Sequence, residues 1–125
     1  MKKVFYYTDV LPFLSKPKAA IAKLKANLEI FKEASENIEL IWHPWSRTEE
    51  FMKLNKCTVT DEYKKIVEEY KAAGWGILDE TTNVADTREV MMACDAFYGD
   101  ACDLAFEIKD KGIPVMLQNV DVLNN

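Results

Sequence analysis

The chain has few of the features that mark fibrous, disordered or membrane-spanning proteins. Its 125 residues include four glycines and four prolines, which excludes collagen-like repeats and Pro-rich linkers. No apolar run approaches the ~18 residues that a membrane span requires, and the N-terminal segment reaches Asp9 too early to be a secretory signal. The composition is 49% hydrophobic and 30% charged, which predicts one globular domain over residues 1–125.

Arginine is also scarce, and acidic residues outnumber basic ones by 21 to 16, which limits the partners that the chain can have. Arg47 and Arg88 are the only arginines, and the formal net charge is −5. Nucleic-acid-binding surfaces need clustered lysines and arginines, whereas the lysines here interleave with acidic residues. The sequence therefore argues against nucleic acid as a partner.

Cysteine and histidine are too few and too scattered for a recognisable metal site. Cys57, Cys94 and Cys102 show no CxxC spacing and cannot all pair within one chain, and His43 is the only histidine. The simplest interpretation is three reduced thiols in a cytoplasmic protein. No metal site or cofactor is predicted, apart from the magnesium alternative considered below.

Strand-like and helix-like segments alternate along the whole chain. Apolar runs at 4–8, 38–42, 75–78, 96–99 and 114–117 predict strands, and amphipathic or capped segments between them predict helices. The expected helix signals are Pro17 at the start of a helix over 17–36, a Ser46–Glu49 capping box, Thr60, Gly74 as a stop, and Asn83 and Asp100 as caps. Such alternation predicts a three-layer, Rossmann-like α/β fold. We expect a mostly parallel five-stranded sheet with helices on both faces.

Ligands in open parallel sheets bind beyond the carboxyl ends of the strands. The residues at those positions are Thr8 and Asp9, then 43–46, 79–82 and 100–103, and lastly Gln118 and Asn119. From these we predict a ligand site lined by Thr8, His43, Trp45, Thr81, Asp100, Cys102 and Asp103.

Several of these residues have two interpretations. His43 is placed to act as a general acid–base or to bind phosphate, but a partly buried ring bonded to nearby backbone is the alternative. Trp45 follows Pro44 and would lie near the crevice, although tryptophans are more often core or rim residues.

The segment after the fourth strand is equally ambiguous. Asp100 and Asp103 fit an N-cap and first-turn acid, or alternatively two ligands of a Mg²⁺ ion. Cys102 could be activated by the helix terminus, but its acidic neighbours favour a small packed thiol. The sequence contains no GxGxxG, GxxxxGK[ST] or GxSxG motif, so dinucleotide, P-loop and serine-hydrolase functions lose their usual support.

Three stretches in order resemble one known family. They are KVFYYT at 3–8, LIWHP at 40–44, and a long run that includes GWGI at 74–77, CDAFYGD at 94–100 and GIPVMLQNV at 112–120. Together they are similar to the C-terminal, donor-binding domain of bacterial CDP-glycerol glycerophosphotransferase-like proteins and related two-domain glycosyltransferases. The resemblance implies a nucleotide-diphosphate ligand.

The chain departs from that family in both phosphate-contacting segments. The family's second strand is followed by Arg-Pro-His-Pro, and here His43 takes the arginine position and Trp45 the histidine position. The family has two serines after the aspartate of its fourth strand, whereas Ala101, Cys102 and Asp103 follow Asp100 here. These departures suggest that the fold was kept while the donor chemistry was altered or lost.

Three functional hypotheses follow. The leading one is a stand-alone relative of the donor-binding domain, not catalytic alone, that binds a small ligand or a partner protein. The second is half of a CDP-alditol or nucleotide-sugar transferase that works with a separate N-terminal domain. The third is a nucleoside deoxyribosyltransferase-like hydrolase, because Glu107 precedes a Gly-x-Pro-Val strand as in that family. Exposed aromatic and apolar surface would also favour self-association.

Overall fold

The computed structural model describes residues 1–118, which form five strands and six helices. The strands are β1 (Lys2–Thr8), β2 (Ile38–Pro44), β3 (Ile77–Leu78), β4 (Ala96–Gly99) and β5 (Val115–Leu117). The helices are α1 (Leu11–Ser15), α2 (Pro17–Glu33), α3 (Thr48–Leu54), α4 (Thr60–Ala73), α5 (Val84–Met92) and α6 (Asp103–Asp110). The candidate residue Asn119 lies outside the described residues. Within residues 1–118, no helix combines the length and apolar character needed to cross a bilayer.

The five strands form one parallel sheet in the order β3-β2-β1-β4-β5. The predicted α/β class, with helices on both faces of the sheet, is therefore confirmed. The chain builds outward from β1 to β3 and then crosses back to β4 and β5. This reversal places the topological switch point, where such sheets often bind ligands, between β1 and β4.

Side-chain alternation along the strands divides the interior into two apolar cores. On the first face, Tyr6 and Trp42 pack beneath helices α1 to α4. On the second face, Phe5 and Phe97 pack beneath α5 and α6. Because successive strand residues point to opposite sides of a sheet, a strand-end residue faces only one of these cores. This division decides which candidate residues can meet.

The predicted element bounds hold for some elements and shift for others. Strand β4 matches its prediction, β2 continues two residues further through Pro44, and β3 is reduced to two residues. Helix α2 ends at Glu33, three residues earlier than expected. The segment around Pro12, to which the sequence analysis assigned no helix, forms α1; proline is tolerated in the first turn of a helix, where its missing N–H costs no hydrogen bond.

Two of the predicted helix caps form and two do not. Asn83 accepts a hydrogen bond from the Ala85 N–H at 2.7 Å, and Gly74 ends α4 in the left-handed conformation at φ 79°. The Ser46 capping box is wrong, since α3 begins after Arg47 without a side-chain cap. The Asp100 cap is also wrong: Cys102 occupies the N-cap position of α6, and the Asp100 carboxylate bonds elsewhere.

Candidate functional site

A cavity of about 340 Å³ opens on the second face of the sheet, at the carboxyl ends of β1 and β2. Its walls come from the sheet on one side and from α5 and α6 on the other. The residues that line the cavity include Phe5, Tyr7, His43, Trp45, Thr81, Arg88, Cys102, Asp103 and Glu107. The volume lies within the range of small-ligand pockets, about 300–1,000 Å³.

His43, which lines this cavity, forms a buried pair with Asp79, which does not line it. His43 is the penultimate residue of β2 and Asp79 follows β3, the neighbouring strand; both are at least nine-tenths buried. The Nδ1 atom of His43 lies 2.9 Å from Oδ2 of Asp79. A carboxylate accepts hydrogen bonds but does not donate them, so Nδ1 carries the proton. In the neutral ring, Nε2 then holds a lone pair.

The orientation of both partners is fixed by further contacts. The Thr81 hydroxyl donates to the same Asp79 oxygen at 2.8 Å, and the Asp79 N–H donates to the Trp42 carbonyl at 2.8 Å. The imidazole stacks with the rings of Phe5 and Tyr7, at centroid distances of 5.6 and 6.0 Å. The ring therefore has one favoured position, which points Nε2 in a set direction.

The second ring nitrogen of His43, Nε2, is the one that Asp79 does not bind. Among residues 1–118, no group hydrogen-bonds Nε2. Every fully buried side-chain nitrogen or oxygen in this range has a hydrogen-bond partner, so Nε2 is not fully buried. The atom is therefore open to the cavity that His43 lines. This arrangement can accept a hydrogen bond from a ligand or take up a proton from it.

The opposite wall of the cavity carries an ion pair between the two helices. Arg88 of α5 binds both carboxylate oxygens of Glu107 of α6, at 2.8 and 3.2 Å. Each side chain is just under two-fifths exposed. Since Glu107 engages the guanidinium in a two-pronged contact, Arg88 is only partly available to a ligand phosphate.

The start of α6 contributes a thiol and a carboxylate to the cavity. Cys102 is partly buried and Asp103 is exposed at the rim. Burial raises the pKa of the Cys102 thiol, while the nearby N–H groups of Ala105 and Leu104 act in the opposite direction and Asp103 adds to the increase. The balance favours the neutral thiol, as expected of a packed cysteine.

This balance predicts slow alkylation of Cys102. We expect iodoacetamide at neutral pH to modify Cys102 several-fold more slowly in the folded protein than in the unfolded chain, because only the thiolate reacts. Cys94, whose pKa is raised to about 11 mainly by burial, should react more slowly still. Peptide mapping by mass spectrometry after timed labelling measures both rates. Equal rates for Cys102 in folded and denatured protein would show instead an activated thiol.

Thr8 and Asp100 lie away from this cavity, beside a small void of about 10 Å³ on the first face. The Thr8 hydroxyl accepts a hydrogen bond from the Trp42 indole at 3.0 Å. Asp100 accepts from the Asp9 N–H at 2.8 Å and from the Gln118 side chain at 3.2 Å. The switch point between β1 and β4 is therefore filled by the protein's own polar groups.

The Asp100 network continues into the first core. Gln118 accepts a hydrogen bond from Asn27 at 2.8 Å, and Asn27 also contacts the hydroxyl groups of Tyr6 and Tyr98. Burial raises the pKa of Asp100, and the bonds from Asp9 and Gln118 partly offset this increase. Both carboxylate oxygens of Asp100 are used structurally, which leaves this residue poorly placed to bind an ion.

The structure thus divides the predicted site residues into two groups. His43, Trp45, Thr81, Cys102 and Asp103 line one cavity, whereas Thr8 and Asp100 do not. Asp100 lies beside the void of the first face with both carboxylate oxygens hydrogen-bonded, and Asp103 lines the cavity; the magnesium alternative for this pair stays a hypothesis. Among residues 1–118, no group of three or more histidine, cysteine, aspartate or glutamate side chains could hold a metal.

The cavity residues that sequence reasoning missed include Phe5, Tyr7 and Arg88. Tyr7 could have been found from strand alternation, because it pairs in register with His43 and shares its face. The sequence analysis also did not predict the hydrogen bond between His43 and Asp79, although it placed both residues at strand ends. No sequence motif marks Arg88, which reaches the cavity only through the packing of α5 against α6.

Comparisons of the chain with protein-family models, with curated proteins and with solved structures found no match in any of the three.

Proposed function

We propose that this protein is a small-molecule-binding domain whose ligand occupies the cavity on the second face and hydrogen-bonds Nε2 of His43. The observation that carries the proposal is the orientation of His43. One ring nitrogen is held by Asp79 at 2.9 Å, and the other has no partner among residues 1–118 and opens into the cavity. Because Nε2 is open to the cavity, a ligand or a water molecule there can donate a hydrogen bond to it.

The lining of the cavity supports this proposal. Aromatic rings of Phe5, Tyr7 and Trp45 provide apolar walls, while His43 and Thr81 converge as polar groups. Small-molecule sites in proteins commonly combine a mostly apolar surface with a few fixed polar groups. The fixed orientation of His43 also favours ligand binding, because no conformational entropy of the ring is lost when a ligand binds.

The resemblance to donor-binding domains supports the same location. His43 and Trp45 stand in the segment where that family holds the donor's phosphates, and Cys102 and Asp103 stand in its second phosphate-contacting segment. We propose that ligand binding persisted at this edge of the sheet while the phosphate-holding residues changed. Binding without transfer is the function that these substitutions favour.

A ligand screen with two histidine variants tests the proposal. Wild type, His43→Asn and His43→Gln are heated with nucleosides, cytidine and uridine diphosphates, CDP-glycerol, and small alcohols and amines. A ligand at 100 times its Kd should raise the Tm of wild type by on the order of 10 °C. We expect about a tenfold loss of affinity in His43→Asn, because the asparagine amide can replace Nδ1 but not Nε2.

The His43→Gln variant is the matched comparison. Its amide reaches the position of Nε2 but cannot replace Nδ1, so it should retain more affinity than His43→Asn. Equal binding by all three proteins would remove His43 from the site. If no compound in the screen stabilises wild type, the proposal of a small-molecule site is wrong.

A further inference from the structure

We infer that the ligand of this cavity presents a protonated amine to His43 and the acidic rim, and that phosphate groups are disfavoured there. The inference rests on the proposed function and specifies its ligand class. Charge, hydrogen-bond polarity and the aromatic walls of the cavity each support it independently.

The charged groups around the cavity leave an excess of negative charge. Asp103 and Glu107 contribute two carboxylates, and the single arginine, Arg88, is bound by Glu107 at 2.8 and 3.2 Å. Among residues 1–118, no lysine lines the cavity. The buried Asp79 adds a further carboxylate behind the imidazole. A cation is attracted to this environment, whereas a diphosphate would approach carboxylates without a free cation to neutralise it.

The hydrogen-bond polarity of His43 leads to the same choice. Because Nδ1–H is committed to Asp79, Nε2 of the neutral ring offers a lone pair and no proton. An ammonium group is a donor only, so it complements this acceptor and the nearby carboxylates. A phosphate dianion is an acceptor only, so against the neutral ring its oxygens would face the Nε2 lone pair without a shared proton.

The aromatic walls add a third contribution. Phe5, Tyr7 and Trp45 line the cavity together with the imidazole. Aromatic faces attract organic cations through the ring quadrupole, most strongly where water is excluded. An aliphatic amine attached to a flat apolar group would use both the rings and the acceptors, which predicts a small arylalkylamine as the chemical class.

Three probes that differ only in the polar group test the inference. We would titrate wild type at about pH 8 with 2-phenylethylamine, 2-phenylethanol and 2-phenylethyl phosphate, and follow binding by calorimetry and by the NMR signals of the sole histidine. We expect the amine to bind at least about tenfold more tightly than the phosphate, with the alcohol between them.

Releasing Arg88 should reverse this preference. In Glu107→Gln the guanidinium loses its carboxylate partner, so amine affinity should fall and phosphate affinity should rise, each by several-fold. Asp110→Asn is the matched control, since it removes one negative charge from an exposed position on the same helix that does not line the cavity. Its probe preference should equal that of wild type.

Each outcome separates the inference from the proposed function. Tighter binding of the phosphate than of the amine, with the His43 signals perturbed, would overturn the amine inference and leave the small-molecule site standing. Equal effects of Glu107→Gln and Asp110→Asn would overturn the assignment of the acidic rim. If none of the probes and no compound of the wider screen perturbs His43, both the inference and the proposed function fail.

Discussion

Replacing Gly99 by alanine is expected to abolish folding of the domain. Gly99 ends β4 with φ 141°, a conformation that L-residues rarely adopt, and it pairs in register with Tyr7 of β1. A Cβ added at this position would collide with the Tyr7 carbonyl oxygen and backbone. Because the obstacle is the backbone of the central strand, no side-chain rotation can relieve it. We expect a loss of more than about 4 kcal/mol in the free energy of unfolding, near the whole stability of many domains.

Circular dichroism and urea unfolding measure this effect, and Gly74→Ala is its control. Gly74 also has positive φ, at 79°, but a Cβ there meets no atom within 4 Å. The control should lose only about 1 kcal/mol, the ordinary cost of placing alanine in the left-handed region. A folded Gly99→Ala protein with stability equal to Gly74→Ala would contradict the close approach of β1 and β4.

Replacing Asp79 by alanine is expected to cost about 3 kcal/mol of stability and most of the ligand affinity. The variant leaves the buried Nδ1–H of His43 without its acceptor, while the part-buried Thr81 hydroxyl keeps its contact with Thr87 Oγ1 at 2.8 Å. It also removes the group that holds the proton on Nδ1, so the two neutral tautomers of the imidazole should mix. Urea unfolding gives the stability, and the screen described above gives the affinity.

The adjacent residue provides the control for Asp79→Ala. Glu80 is exposed and pairs at the surface with Lys71 at 3.1 Å. Glu80→Ala should change stability by no more than about 0.5 kcal/mol, since exposed ion pairs contribute little. If both variants lose the same small amount, the His43–Asp79 hydrogen bond is not a buried structural contact and the proposed alignment of the ring is wrong.

The fold was predictable because its signals are local and repeated. Five apolar runs separated by amphipathic segments define the strand and helix order, and stops such as Gly74 and caps such as Asn83 act through nearest neighbours. The prediction that Asp100 caps α6 was wrong because the Asp100 carboxylate is hydrogen-bonded to a residue distant in sequence. The Asp9 N–H, 91 residues away in sequence, takes the carboxylate that a local cap would have used.

The candidate site was only partly predictable, because strand ends define a position along the sheet but not a face. Thr8 is the last residue of β1 and His43 the penultimate residue of β2, yet Thr8 belongs to the first face with Trp42 and His43 to the second with Tyr7. Counting alternate residues from the buried Trp42 would have separated them. The Arg88–Glu107 pair depends on how α5 and α6 pack, and that information is not present in either helix alone.

The most direct test of this account is the tautomer of His43, measured by long-range ¹H–¹⁵N NMR of its imidazole. The chain contains one histidine, so its two ring nitrogens give an unambiguous spectrum. We predict a protonated Nδ1 and an unprotonated Nε2 in the neutral ring, with Nε2 the nitrogen that responds when a ligand is added. A proton on Nε2, or a ring that averages freely between tautomers, would contradict the Asp79 hydrogen bond and with it the ligand site proposed at His43.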